Sequence, residues 1–146
     1  MKFAIKRAEE TDLSNIVELN NIMCGTQAED EDFFKNRINY ICLHENNCVG
    51  FLSGYLYNSK KDEDFINKND LVFYLETLFV KEEFRKKGIG QKLMQIALNE
   101  MKQESIKVVK LDAKTYEENK PRLKRFYENN GFTQVKYNDS TMVKEL

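Results

Sequence analysis

Cysteine, proline and histidine are scarce in this chain, and neither sign of charge dominates. The three cysteines, Cys24, Cys42 and Cys48, are odd in number and show no CxxC spacing. That excludes a disulfide framework and a zinc site as working expectations; the cysteines read as reduced core or strand residues, and no metal is called for. The formal net charge of −1 removes a broad footprint for nucleic acid, leaving only a local basic patch at Arg85, Lys86 and Lys87. No apolar run approaches the length of a membrane span, and the N-terminus lacks the apolar core of a signal peptide. The expected setting is therefore cytoplasmic, with neither membrane nor nucleic acid as a partner. There is no internal repeat.

What is present is enough apolar material for a core. Hydrophobic residues make up 41% of 146 and charged residues 32%, as expected for one globular domain over residues 1–146. The organising stretch is Tyr74–Leu98. Tyr74–Val80 is apolar and β-prone apart from Glu76 and Thr77, which predicts a buried or half-buried strand. From Ile89 the spacing becomes helical, with Ile89, Leu93, Ile96, Ala97 and Met101 on one face. Between them lies Arg85-Lys86-Lys87-Gly88-Ile89-Gly90. A glycine pair opening a helix is a place to hold phosphate, because the first-turn N–H groups have no intrahelical partner and the dipole favours an anion. It is equally a tight strand-to-helix turn. It is neither GxxxxGK[ST] nor GxGxxG.

The remaining elements follow from local pattern. Lys2–Ala8 alternates as an edge or half-buried strand. Thr11 or Asp12 caps a helix with Leu13, Ile16, Val17, Leu19 and Ile22 on its stripe, and Gly25 ends or interrupts it. Glu29–Asp32 precedes Phe33, Phe34, Ile38 and Ile41, as the acidic start of a second helix. Tyr40–His44 and Cys48–Tyr57 form a hairpin about Glu45-Asn46-Asn47, with His44 a solvated strand residue. Asn58–Asp70, which contains Asp62-Glu63-Asp64, reads as a solvated loop long enough to be functional. Ile106–Ala113 is a strand. Pro121, the only proline, suits the first turn of a helix carrying Leu123, Phe126, Tyr127 and Asn130. Gly131 suits the left-handed position after it, with Phe132 folded back onto Tyr127. Phe132–Tyr137 and Thr141–Leu146 close the chain. This order predicts an α/β (α+β) fold with a mixed sheet.

Arg85-x-x-Gly88-x-Gly90, after a strand ending Leu78-Phe79-Val80 and before an amphipathic helix, resembles the acetyl-CoA-binding motif of the GNAT superfamily of N-acetyltransferases. The opening Arg7 to Asp12 and the element order resemble that family as well. The resemblance implies a mixed, mostly antiparallel sheet of six to seven strands flanked by four helices. It also implies direct acetyl transfer from acetyl-CoA, as cosubstrate, to a primary amine. Lys86, Lys87, Gly88, Ile89, Gly90 and Gln91 would take the pyrophosphate, and Leu78, Phe79 and Val80 the pantetheine arm, with a backbone N–H near Phe79 polarising the thioester.

Glu76, an acid inside an apolar strand, is the implied general base, or else a charge-pairing residue of the sheet. Tyr127, in Phe-Tyr-x-x-x-Gly-Phe, is the implied general acid, or a core aromatic, or both. The family's CoA-contacting asparagine stands seven residues before this tyrosine. Here Lys120 has that spacing, and Asn119 is one position earlier. Leu75-Glu76, Phe79-Val80 and Phe126-Tyr127 also resemble the spermidine/spermine acetyltransferases, which makes a small cationic amine such as a polyamine the expected acceptor. A protein lysine or N-terminus, or an acyl-CoA-binding module without catalysis, is the alternative. A homodimer is possible on the family's example.

Overall fold

The computed structural model describes residues 2–113 and 120–146. Its elements run β1 (Ala4–Arg7), α1 (Leu13–Cys24), α2 (Glu31–Lys35), β2 (Ile38–His44), β3 (Asn47–Asn58), β4 (Leu71–Val80), α3 (Ile89–Gln103), β5 (Val108–Asp112), α4 (Lys120–Asn129), β6 (Thr133–Gln134) and β7 (Thr141–Glu145). The seven strands make one sheet in the order β1-β2-β3-β4-β5-β7-β6. The β4–β5 pair is parallel, and β1–β2, β2–β3, β5–β7 and β6–β7 are antiparallel. Internal contacts divide into two compact units, Met1–Tyr55 with Glu76–Ala97 and Leu56–Leu75 with Leu98–Leu146.

In the first unit, Leu13, Ile16 and Leu19 of α1 pack with Phe34, Ile41, Phe51 and Phe79. The helix is introduced by a 3-10 turn, Glu10–Asp12, where the Asp12 carboxylate accepts the N–H of Glu9 at 2.8 Å. Gly25 ends it with φ +73° and its N–H on the Asn21 carbonyl, as expected for a glycine C-cap. The predicted apolar stripe overreaches. Ile22 is 52% exposed, because the buried face closes at Leu19 and Asn20.

Asp30 caps α2 by accepting the N–H of Phe33, and α2 lasts five residues. Ile38 and Ile41, expected on this helix, belong to β2 instead. The buried Asn39 side chain donates to the Phe34 carbonyl at 2.9 Å and accepts from Ser53, which terminates the helix and fastens it to β3. The β2–β3 turn is two residues, Glu45 (φ +50°) and Asn46 (φ +65°), with His44 opposite Asn47. Positive φ at both positions is the I′ hairpin geometry.

In the second unit, β5 pairs with β7 from Val108↔Glu145 to Asp112↔Thr141. Asn58–Asp70 is not the solvated loop expected. Ile66 is 1% exposed and packs with Val72, Val108, Val135 and Val143. Asp62 accepts the N–H of Lys68, Asp64 that of Lys136, and Glu63 pairs with Lys110 at 2.9 Å. Burial works against the Glu63 charge, yet Lys110 and Tyr137 outweigh it and hold the carboxyl below its usual range. β6 is two residues long, shorter than the predicted strand, since the Lys136 N–H is taken by Asp64 and Tyr137 is exposed.

Candidate active site

Between β4 and α3 the chain makes a 3-10 turn, Glu82–Phe84, and then the glycine loop. Lys86 and Gly88 both adopt positive φ, +64° and +79°. The first helical bond of α3 runs from the Lys92 N–H to the Gly88 carbonyl. Among the described residues, the N–H groups of Lys86, Lys87, Gly88, Ile89, Gly90 and Gln91 donate to no acceptor. Ile89 is buried and anchors the helix start, while Lys86, Lys87, Gly88 and Gln91 are exposed. A Cβ on Gly88 would find no atom within 4 Å, so this loop faces open space. A run of unpaired N–H groups at the positive end of a helix dipole is chemically an anion site.

Arg85 is less free than Lys86 and Lys87. Its Nε donates to the Val80 carbonyl at 2.8 Å and its guanidinium lies 5.6 Å from the Phe79 ring centroid, which ties the loop to the end of β4.

β4 is ten residues long, longer at its start than the predicted strand. Its register with β5 covers Val72↔Val108 to Leu75↔Leu111. Among the described residues, Glu76–Val80 therefore has no β5 partner. Phe79 is turned the other way. Its ring belongs to the core, and a Cβ on Gly50 of β3 would lie 3.0 Å from its carbonyl oxygen. By strand alternation, Leu78 and Val80 direct their main-chain groups to the opposite edge.

Glu76 is ion-paired. Arg37, immediately before β2, donates its Nε to Glu76 Oε1 at 2.7 Å, with the two side chains 22% and 26% exposed. No sequence motif marks Arg37, whose partner is 39 positions away; the only available signal was the costly acid in an apolar strand.

In the second unit, Tyr127 of α4 is 8% exposed, and burial pushes its hydroxyl up to about 12. Its ring stands edge-on to Phe126 and Phe132. Asn119 lies outside the described residues.

The other candidates have local explanations. Cys42 is buried, Cys48 is pushed up to about 11 chiefly by burial, and both are poor nucleophiles there. Cys24, expected in core or strand, is exposed at the end of α1. His44 is not solvated; its ring packs between Phe3 and Phe84, 5.3 and 5.4 Å away. Among the described residues no helix is long and apolar enough to cross a membrane.

Comparison with known proteins gives the family and the fold. The chain matches the acetyltransferase (GNAT) family over residues 4–132. No curated protein sequence matches it. Among solved structures it is similar to Arabidopsis thaliana NAA60 in complex with acetyl-CoA (TM-score 0.79, 17% identity, 99% of each chain covered). It is also similar to Arabidopsis thaliana Naa50 in complex with the bisubstrate analogue CoA-Ac-MVNAL (TM-score 0.77, 18% identity, 100% of each chain). A third is the aminoglycoside acetyltransferase meta-AAC0020 from an uncultured soil metagenomic sample (TM-score 0.72, 19% identity, 94% of each chain). These likenesses show the same fold, and the family match spans most of the sequence. The expectation raised by the glycine loop thus holds at the level of the family: the chain belongs to the acetyltransferase (GNAT) family.

Proposed function

We propose that the protein transfers acetyl from acetyl-CoA directly to a primary amine of a small molecule, in the cytoplasm, without a covalent acyl-enzyme. The main support is the run of six unpaired N–H groups, Lys86–Gln91, at the start of α3. They would hold the pyrophosphate, with Gly88 and Gly90 admitting it close to the backbone. Leu78 and Val80 would pair the pantetheine amides at the β4 edge as a short added strand. Phe79 contributes by anchoring that edge to the core.

The acceptor must shed a proton before it attacks. A lysine-like amine with a pKa near 10.4 is neutral in only about one molecule in a few thousand at pH 7. Glu76 is assigned as the base that takes this proton through water, using Oε2, since Oε1 is held by Arg37. The amine nitrogen then bonds to the thioester carbonyl carbon, the C–S bond breaks, the sulfur departs as thiolate, and the nitrogen, now positively charged, gives its surplus proton to solvent to leave the neutral amide. Tyr127 is assigned to that sulfur. Its hydroxyl, pushed up to about 12, stays protonated at neutral pH. Full transfer to a cysteine-like thiolate of pKa about 8.5 would be uphill by about 5 kcal/mol, so Tyr127 acts mainly by hydrogen bonding and solvent supplies the final proton.

A polyamine acceptor draws its support from the acidic clusters. Asp30, Asp62, Glu63 and Asp64 are engaged with the chain itself, which leaves Glu29, Glu31 and Asp32 exposed for a cation. A protein N-terminus is the second reading, favoured by the likeness to Naa50 with its peptide-bearing analogue.

The test pairs thermal unfolding with thiol release from acetyl-CoA. At a hundred times its dissociation constant acetyl-CoA should add about 2.7 kcal/mol to stability. Turnover on small amines but not on peptides supports the proposal. Turnover on peptides alone moves the acceptor to a protein N-terminus or lysine, and stabilisation without turnover on any amine makes the chain a binding module.

A further inference from the structure

Arg37 has more donors than its partnership with Glu76 uses. Its Nε makes the 2.7 Å bond, and its guanidinium carbon lies 4.1 Å from the ring centroid of Phe33 and 5.1 Å from that of Tyr55. The rings fix the plane of the guanidinium and the Nε bond fixes its direction. The pair is nevertheless monodentate. Among the described residues no acceptor takes the Nη1 or Nη2 N–H groups, and no donor takes Glu76 Oε2. An arginine serving only as counter-ion would gain by closing the second arm, because the bidentate carboxylate pair is the stronger one. At 22% exposure the Arg37 side chain is reachable from solvent, although most of it is covered.

We propose that this open fork receives a carboxylate carried by the acceptor itself. The inference rests on reading Glu76 as the base. Whatever the fork binds lies one guanidinium away from Glu76, joined by charge-assisted bonds of about 2.8 Å each. The amine that Glu76 deprotonates and the anion that Arg37 holds must then be a few atoms apart, so the acceptor is a short amino acid rather than a polycation. Arg37 also places a positive charge where a polyamine would bring a second one, which sets like charges together.

The experiment measures thiol release from acetyl-CoA with glycine, β-alanine, γ-aminobutyrate and glutamate, with the carboxamide of each, and with spermidine. Wild type, Arg37→Lys and Arg37→Gln are compared at one pH. The expected result is turnover on at least one acid, with KM for that acid rising about tenfold or more in Arg37→Lys. The KM of the matching carboxamide should rise far less, whatever kcat both substrates lose because Arg37 also holds Glu76. Arg37→Gln should show the same selective loss, and an unchanged acetyl-CoA-induced melting shift confirms that both variants fold. Equal rises in KM on acid and amide would overturn the proposal and make Arg37 a holder of Glu76 alone. Preference of the wild type for spermidine would overturn it while leaving the amine reading intact. Turnover on no amine would overturn both.

Discussion

The ring of Tyr127 stands edge-on to that of Phe132 with centroids 5.7 Å apart, and the Phe132 N–H donates to the Tyr127 carbonyl at 3.0 Å. The second bond spans Gly131, whose φ of +90° makes the left-handed turn after α4. This is the helix C-terminal motif in which a residue past the cap folds back onto the last turn. It holds the ring by packing and main chain, independently of the hydroxyl. Tyr127→Phe should therefore keep the melting temperature within a degree or two while lowering kcat about a hundredfold or more, with KM for acetyl-CoA unchanged. Steady-state kinetics beside a melting curve checks it; an unchanged kcat would remove Tyr127 from the chemistry.

Burial of the same hydroxyl couples folding to alkaline pH. An exposed tyrosine ionises near pH 10 and Tyr127 at about 12, so over that interval the unfolded chain has lost a proton that the folded chain keeps. Stability present below pH 10 should fall by about 3 kcal/mol as pH rises to 12. Cys48, pushed up to about 11, contributes the same sign in wild type and variant and cancels in their difference. Denaturant unfolding of wild type and Tyr127→Phe at pH 9 and 11.5 should show the steeper loss in wild type.

Gly25 and Gly88 offer a matched control. Both have left-handed φ, +73° and +79°, and a Cβ at either would meet nothing within 4 Å. Alanine at each should cost about 1 kcal/mol from backbone strain alone. Only Gly88→Ala should also weaken acetyl-CoA, read as a smaller ligand-induced melting shift. If the shift is the same in both variants, the loop after Arg85 is a turn and not a phosphate site.

Ile66→Ala separates a core anchor from a solvated loop. A residue 1% exposed among four valines should cost about 3 kcal/mol when truncated. A loss below about 0.5 kcal/mol, as for an exposed site, would mean that the segment is not packed as described.

Local physics made much of this fold legible. The switch from strand to helical spacing placed β4 and α3, the polar turn placed the hairpin, and Gly25 and Gly131 marked helix ends, because each signal is contained within a few residues. The misreadings have a common cause. Ile22 and Ile96 fit a stripe by spacing, but periodicity does not say where the packed neighbour ends, and both are exposed. Ile66 is one apolar residue in a charged loop. β6 is cut short by an aspartate 72 positions from Lys136, and Glu76 is oriented by an arginine 39 positions away. At the candidate site, the glycine loop was visible because glycine carries its own conformational meaning, whereas Arg37 carries none until the chain has folded.

The sheet ends on β1, four residues that include Lys6 and Arg7, and on β6, two residues long. Those margins offer few main-chain groups to a neighbouring molecule, and the longer margin is charged. Apart from the short Glu76–Val80 end of β4, which has no β5 partner, the interior strands are flanked on both sides by members of their own sheet. Concentrated solutions should consequently resist ordered β-aggregation until the molecule unfolds, so that shelf life is governed by global stability rather than by an exposed ribbon.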